Sequence, residues 1–364
     1  MRVGPLHALG REVRAARRLG PERRAEPGAL AVGLAQVLRF RARATRLDRR
    51  LPPGSWGDAA YGGLQDSSPR SALLALHARV AGTGPGAWED PALVQVWFRW
   101  SDYVVPAADF AVFTLGTLPR DPELAAAVER AAAAVHGVLA GRELHTREVV
   151  AALPGAGRDL LGAASAAARF RIRWDARTVT LLPTERPDVD PEEARLELAR
   201  RFLGWHGPAT ADQFAKWAGI ARADAGATWA GLGRELVRVA VDDRARHALA
   251  RDEEALTRCE PPSGVRLLPA GDPYLALDRG AALAGRPAPP CEDEDGTPLT
   301  TRLVNSLAGT ILVDGRLAGA WGRERERMAI HLWAADDPDR ERIAVEAEGF
   351  AGPIGRPMRL RWLR

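Results

Sequence analysis

The sequence contains very few lysines and cysteines. Of its 51 basic residues only Lys216 is a lysine, and the two cysteines are Cys259 and Cys291. A phosphate-binding P-loop needs a lysine in a glycine-rich loop, and a kinase needs a lysine on a strand. Lys216 lies in neither context, so both kinds of nucleotide site are excluded. The two cysteines form neither a CxxC pair nor a disulfide framework, and this is typical of a reducing compartment.

Patterns for metal binding and for membrane insertion are also missing from the sequence. The seven histidines are scattered and no HExxH motif occurs, so we expect no metal site and no bound cofactor. No run approaches the ~18 consecutive apolar residues of a membrane span, and no apolar segment follows the first residues. The sequence therefore predicts a soluble, cytoplasmic protein that has no membrane partner.

Positive charge is concentrated at the N-terminal end. Residues 1–50 contain thirteen arginines and four acids, a net charge of +9, whereas the whole chain carries +4, so that the remainder carries −5. Within this region Arg39, Arg41, Arg43 and Arg46 are expected on one face of a helix. Such a face predicts a polyanionic partner, which we expect to be duplex DNA. The protein is then expected to be associated with the nucleoid. The alternative is a solvated amphipathic helix that binds nothing.

A helix–helix–hairpin order occurs twice along the chain. In the first copy two short helices precede an alternating stretch with a turn at Asp175-Ala176, and in the second Thr210 and Gln213 form a capping box before two helices and a strand. This order is typical of a winged helix. The alternative is a generic α+β core that matches the order twice by chance.

The length of 364 residues predicts two or three packed units, because a single domain usually has ~150 residues. We expect an α+β, predominantly helical fold with tandem winged-helix motifs and a small C-terminal β-sheet of barrel-like form. Helices are expected at 30–46 and 91–97. The predicted segments are a basic helical arm (1–28), a first winged-helix-like unit (29–120), a second (121–188) and a third winged helix (189–260), and a C-terminal β-rich unit (261–364).

Four motifs carry a resemblance to a known family. They are Gly63-Leu-Gln-Asp-Ser67, Gly207-Pro-Ala-Thr-Ala-Asp-Gln-Phe-Ala-Lys-Trp-Ala-Gly219, Leu267-Leu-Pro-Ala-Gly-Asp-Pro-Tyr274 and Val313-Asp-Gly-Arg-Leu-Ala-Gly-Ala-Trp321. In this order they resemble the AlkZ/YcaQ-like winged-helix proteins. The resemblance implies tandem winged helices around a basic concave surface. It also implies a DNA glycosylase that excises bulky alkylated bases, an activity that in some members opens interstrand crosslinks.

The resemblance also implies site residues. The family's catalytic signature, Gln-x-Gln or Gln-x-Asp, falls on Gln65 and Ser67, so the second position is degenerate and a low or altered activity is expected. A family hairpin tip of the form His-apolar-Pro, preceded by an arginine, falls on Arg99, Tyr103 and Pro106, with tyrosine in place of histidine. These three residues are therefore expected to contact DNA, with Tyr103 stacking against an exposed base.

The chemistry of base excision fits a neutral amide. An N-alkylated purine already carries the positive charge, so it leaves as a neutral base and needs little help from an acid. Gln65 can orient the attacking water, whereas Ser67 has a shorter side chain that would reach that water only indirectly. Asp66 is expected to point away from Gln65. The alternative for Gln65 is a polar cap at the start of the next helix.

Two functions follow from these residues. The first is a DNA glycosylase with reduced or altered activity on alkylated bases. The second is a winged-helix DNA binder without chemistry, either a transcription regulator or a damage sensor. In both cases the partner is duplex DNA, alkylated or distorted, and the protein is expected to act as a monomer.

Overall fold

A computed structural model describes residues 19–20, 22–66, 70–153, 157–288, 290–334 and 338–363. The fold is a mixture of helices and three sheets, which confirms the predicted α+β class. Most of the arm predicted at 1–28, and also Ser67, lie outside the described residues.

The helices of the described residues are short apart from two that exceed fifteen residues. In chain order they are α1 (Leu34–Ala44), α2 (Trp56–Ala59), α3 (Ser71–Arg79), α4 (Phe110–Thr114), α5 (Pro122–Leu139), α6 (Thr146–Ala152), α7 (Arg158–Ala164), α8 (Pro191–His206), α9 (Ala211–Ala218), α10 (Arg222–Leu232), α11 (Glu253–Arg258), α12 (Arg279–Ala282), α13 (Thr301–Ser306), α14 (Arg340–Glu348) and α15 (Ala351–Ile354).

The strands of the described residues form sheets of three, five and six strands. The three-stranded sheet has the order β1 (Leu30–Val32), β8 (Leu236–Val241), β9 (Arg244–Leu249). The five-stranded sheet has the order β10 (Val265–Leu268), β11 (Gly309–Val313), β12 (Arg316–Glu324), β13 (Arg327–Leu332), β14 (Arg359–Leu363). The six-stranded sheet has the order β2 (Leu64–Gln65), β4 (Ser101–Pro106), β3 (Leu93–Phe98), β6 (Phe170–Trp174), β7 (Val179–Pro183), β5 (Leu144–His145).

The six-stranded sheet joins two of the predicted units. Strand β3 lies beside β6 with Gln95 opposite Ile172. The side chain of Gln95 also accepts a hydrogen bond of 2.6 Å from the backbone N–H of Trp174. Strand pairing therefore crosses the boundary predicted between residues 120 and 121, and the two segments share one sheet.

The helix–helix–hairpin order occurs in both predicted places. In the first, α5, β5, α6 and α7 lead to the β6–β7 hairpin, and in the second α8, α9 and α10 lead to the β8–β9 hairpin. Local signals set these boundaries. Asp121 and Asp190 cap α5 and α8 by accepting backbone N–H groups, and a proline follows each of them. The capping box of Thr210 and Gln213 is confirmed, with hydrogen bonds of 2.9 and 3.1 Å.

Two predicted helices are wrong in whole or in part. Most of the helix expected at 91–97 is strand β3 (Leu93–Phe98). Its six residues are all buried, so the sequence lacks the alternation that marks a half-exposed strand. The helix expected at 30–46 begins at Leu34. The residues before it form β1, which pairs in parallel with β8.

A cluster of aromatic side chains fixes the β3–β4 hairpin against the helices. Phe98 packs edge-on against Tyr103, Phe113 and Trp217, with ring centroids 5.0 to 5.3 Å apart. Trp217 of α9 also lies 5.1 Å from Phe202 of α8. Because edge-to-face aromatic pairs resist rotation as well as separation, this cluster holds the hairpin and both helices in one arrangement.

Candidate functional site

A cavity of about 330 Å³ lies where strands β2 and β4, helices α8 and α9, and the loop after β10 meet. Polar groups and the rings of Tyr103 and Trp217 line it, and the residues that matter below are Gln65, Arg99, Tyr103, His206, Trp217 and Arg279. The structure thus brings together three of the residues predicted from the sequence, Gln65, Arg99 and Tyr103.

Gln65 is held at the cavity wall by its strand. It lies opposite Tyr103 in the antiparallel β2–β4 pair, so both side chains leave the sheet on the same face. The Tyr103 hydroxyl is 3.5 Å from Gln65 Oε1. A side chain at Gly271, whose φ is +84°, would place its Cβ 3.3 Å from the same oxygen. Gly271 therefore leaves room for the amide of Gln65.

Asp66 points away from the cavity, as alternation predicted. Its Oδ1 accepts a 3.0 Å hydrogen bond from the N–H of Ala72 in the first turn of α3. Asp66, rather than Gln65, therefore acts as the polar cap of this helix, while Gln65 lines the cavity. Burial raises the pKa of Asp66 to about 7, although the Ala72 hydrogen bond and Arg70 act in the opposite direction.

Two titratable groups of the cavity wall, His206 and Tyr103, are neutral at neutral pH. Burial, together with the charges of Arg41, Arg99 and Arg79, lowers the pKa of His206 to about 3. Its Nδ1 lies 3.2 Å from the carbonyl oxygen of Pro273, so this nitrogen carries the proton. Burial also raises the pKa of the Tyr103 hydroxyl.

An ion pair shapes the loop that closes the cavity. Asp272 accepts two hydrogen bonds of 2.8 and 2.9 Å from the guanidinium of Arg79, which is fully buried in α3. Among the described residues that line the cavity, Asp272 is the only one with a carboxylate, and this carboxylate is paired with Arg79. That carboxylate is therefore committed to the loop, and the remaining polar groups of the described wall are amide, hydroxyl, imidazole and guanidinium.

Arg41 does not belong to the exposed basic face on which it was predicted. It is 1% exposed, and its guanidinium lies 2.8 Å from Asp278 Oδ2 and donates to the carbonyl of Gly207. The rotation of α1 turns it inward, toward a cluster in which Asp278 also binds Arg246. Arg41 is thus a buried structural residue and is not available to DNA.

The hairpin tip also differs from its prediction. The turn between β3 and β4 consists of Arg99 and Trp100, both with positive φ, while Tyr103 and Pro106 lie inside β4 and are buried. Tyr103 is 4% exposed and packs in the aromatic cluster, so it cannot stack on DNA from this position. The register with β3 puts Pro106 opposite Leu93, at the far end of the hairpin from its tip.

The remaining predicted contacts lie at the surface. Arg39, Arg43 and Arg46 are exposed on or directly after α1, and none of them lines the cavity. Arg99 is half-buried and donates a hydrogen bond to the Tyr103 hydroxyl. No structural statement applies to Ser67, which lies outside the described residues.

Sequence reasoning missed His206, Arg279 and the pairing of Arg79 with Asp272. His206 ends a helix whose apolar pattern gives no sign that a polar ring faces a cavity. A signal did exist for Asp272, since an Asp-Pro pair after a glycine and a buried strand indicates a turn at the end of a sheet. Nothing in the sequence connects that turn to Arg79.

The part of the chain that the structure covers holds no cluster of three or more His, Cys, Asp or Glu side chains that could bind a metal ion. None of its helices combines the length and the apolar character needed to cross a membrane.

The sequence between residues 59 and 352 matches the family model described as DNA glycosylase AlkZ-like. This match extends over most of the chain and spans both Gln65 and the Asp272 loop. The chain belongs to the AlkZ-like DNA glycosylase family. Its sequence is 28% identical over 166 residues to an interstrand DNA cross-link repair glycosylase of Streptomyces sahachiroi.

That alignment covers 43% of this chain and 41% of the relative. A solved structure, the DNA glycosylase AlkZ of Streptomyces sahachiroi, superposes with a TM-score of 0.68 and 20% sequence identity. The superposition covers 92% of this chain and all of the other. At this identity the structural likeness establishes a shared fold.

Proposed function

We propose that the protein is a DNA glycosylase that removes alkylated bases from duplex DNA. One observation carries the proposal: the amide of Gln65, at the family's signature position, faces a cavity in which His206 is neutral and the carboxylate of Asp272 is paired with Arg79. A relative described as a cross-link repair glycosylase supports the same activity.

The cavity suits a base that is already cationic. When such a base leaves, the positive charge passes to the sugar and no acid has to protonate the leaving group. In this mechanism Gln65 holds the attacking water by its amide, and the Tyr103 hydroxyl near Oε1 fixes which way the amide is turned. A neutral His206 adds no positive charge beside the developing oxocarbenium ion.

Binding would use the tandem winged helices predicted for 121–188 and 189–260. The two helix–helix–hairpin units support this assignment, and the second strand of each hairpin closes a wing. The β6 strand exposes Arg171 and Arg173, which suits contact with phosphates. We further propose that Arg39, Arg43, Arg46 and Arg99 contact the duplex, and that the protein acts as a monomer in the cytoplasm.

A second candidate function is DNA binding without excision, as in a regulator or damage sensor. The serine at the second signature position favours it, because Ser67 is too short to share the water with Gln65 as a second amide or carboxylate would. Under the glycosylase proposal, a serine in place of the family's glutamine or aspartate at this position lowers the rate of base release but does not abolish it.

The two functions are separated by base release under single-turnover conditions. A duplex with N7-methylguanine is incubated with excess protein, and the released base is measured together with the fraction of DNA bound. We expect slow release by the wild type and faster release by Ser67→Gln, since a second amide strengthens the hold on the water. If both proteins bind the duplex and neither releases base, the protein is a binder.

A further inference from the structure

Arg279 is a charged residue at the cavity for which the proposed chemistry has no role. It is the first residue of α12, it is exposed, and it lines the same cavity as Gln65 and Arg99. Its Nη2 donates a 2.8 Å hydrogen bond to the carbonyl of Ala308, and Nη1 lies 3.4 Å from the hydroxyl of Thr310. These two contacts hold the guanidinium against the start of β11.

The charge of Arg279 is not balanced by a carboxylate. No acid among the described residues forms an ion pair with it, and partial burial alone lowers its pKa. Arg79 and Arg246 differ from Arg279 in this respect, because each donates two hydrogen bonds from its guanidinium to the carboxylate of an aspartate. A guanidinium that is held in place, partly withdrawn from water and unpaired is suited to bind an anion.

We propose that Arg279 binds a phosphodiester group next to the nucleotide whose base enters the cavity. This inference rests on the proposed function. A base that leaves the stack brings its own flanking phosphates to the rim of the pocket, because only one sugar separates them. The fork of a guanidinium matches two phosphate oxygens. The contact is to the DNA backbone, so it is independent of sequence and serves to place the sugar beside Gln65.

The test removes the charge from each partner in turn. The duplex carries 2′-fluoro-N7-methylguanosine, whose fluorine prevents cleavage, and either ordinary linkages or one neutral methylphosphonate immediately 5′ or 3′ of that nucleotide. Affinities are measured by fluorescence anisotropy at one fixed salt concentration. The proteins are the wild type, Arg279→Gln, Arg279→Lys and, as a matched control, Arg327→Gln. Arg327 is likewise exposed in the C-terminal part but does not line the cavity.

We expect one of the two methylphosphonates to weaken wild-type binding about tenfold, the cost of losing a hydrogen bond to a charged group. Arg279→Gln should bind the ordinary duplex about tenfold more weakly than the wild type and should be indifferent to that methylphosphonate. Arg279→Lys keeps the charge and should lie between the two. Arg327→Gln should respond to the methylphosphonates as the wild type does.

The results that would overturn the phosphate contact differ from the result that would overturn the proposed function. If Arg279→Gln loses affinity equally on the ordinary and the methylphosphonate duplexes, with an unchanged melting temperature, Arg279 does not touch that phosphate. If Arg279→Gln keeps full affinity, the contact does not exist, although the protein still binds DNA. If the wild type binds none of the duplexes, the proposed function itself fails and the contact fails with it.

Discussion

Gln65 and Asp66 are adjacent in the chain, yet their side chains enter different environments. Gln65 ends strand β2 and its amide lines the cavity, whereas Asp66 follows the strand and its carboxyl accepts a hydrogen bond from the first turn of α3. Burial of Asp66 raises its pKa to about 7, and Oδ2 of the same carboxyl has no hydrogen-bond partner among the described residues. The folded protein therefore takes up a proton here at a pH where the unfolded chain has already lost it.

This difference predicts a pH dependence of stability that belongs to Asp66. Between pH 4 and 7 the folded state binds the proton and the unfolded state does not, so the free energy of unfolding falls as pH rises. The slope is at most about 1.4 kcal/mol per pH unit for one group. Asp66→Asn keeps Oδ1 for Ala72 and should lack this slope. Urea unfolding of both proteins at pH 5 and 7 gives the difference, and parallel pH profiles would contradict the account.

At the scale of single residues the sequence identifies a position more readily than its environment. Gln65 was predicted as a site residue from its motif. The alternation of side chains along a strand predicted that Asp66 points away from Gln65, which is confirmed. Arg41 was expected at the surface because it shares a stretch of helix with three other arginines, and Tyr103 because the family's hairpin tip falls on it. Both are buried. Arg41 pairs with Asp278, which is distant in the chain. Tyr103 packs against Phe98 of the same hairpin, in a cluster that also contains Phe113 and Trp217 from other elements.

At the scale of elements, the loop after β10 is positioned by helix α3. Arg79 donates from α3 to Asp272 in that loop, and both side chains are buried. The same helix begins at the cap supplied by Asp66, next to Gln65. The two walls of the cavity that carry Gln65 and Gly271 are thus tied to each other through α3.

Breaking this pair should destabilise the protein strongly. Asp272→Asn leaves the Arg79 guanidinium buried without its counter-charge, which costs about 3–5 kcal/mol in the free energy of unfolding. The control is Glu254→Gln, which removes an ion pair with Arg258 in which both side chains are more than three-quarters exposed; it should have no measurable effect. Urea denaturation compares the two, and equal stabilities would show that the loop is not held by Arg79.

The elements themselves were predictable where their signals are local. The Thr210–Gln213 box, a glycine at the end of α9 and Arg-rich alternation in β6 identified both helix–helix–hairpin units. The aspartates that cap α5 and α8 are local signals of the same kind. Strand β3 was not predictable in the same way. It is buried by the sheet and by helices from other segments, and a strand buried on both faces shows no alternation in its sequence.

At the scale of the whole molecule, the cavity is assembled from distant segments. Gln65 comes from β2, His206 from the end of α8, Gly271 from the loop after β10 and Arg279 from α12. No local pattern reports that these four residues meet, which is why the motif predicted Gln65 but not its neighbours. The match to the AlkZ-like family spans most of these segments, and the solved relative shares the fold that joins them.

The central claim is that the amide of Gln65 acts on the attacking water in this cavity. The most direct measurement compares wild type and Gln65→Ala in single-turnover release of N7-methylguanine from duplex DNA, with duplex affinity measured alongside. The account predicts that Gln65→Ala lowers the rate about 10²–10³-fold while affinity stays nearly unchanged, because the amide acts mainly in the transition state. Equal rates of base release by the two proteins would contradict it.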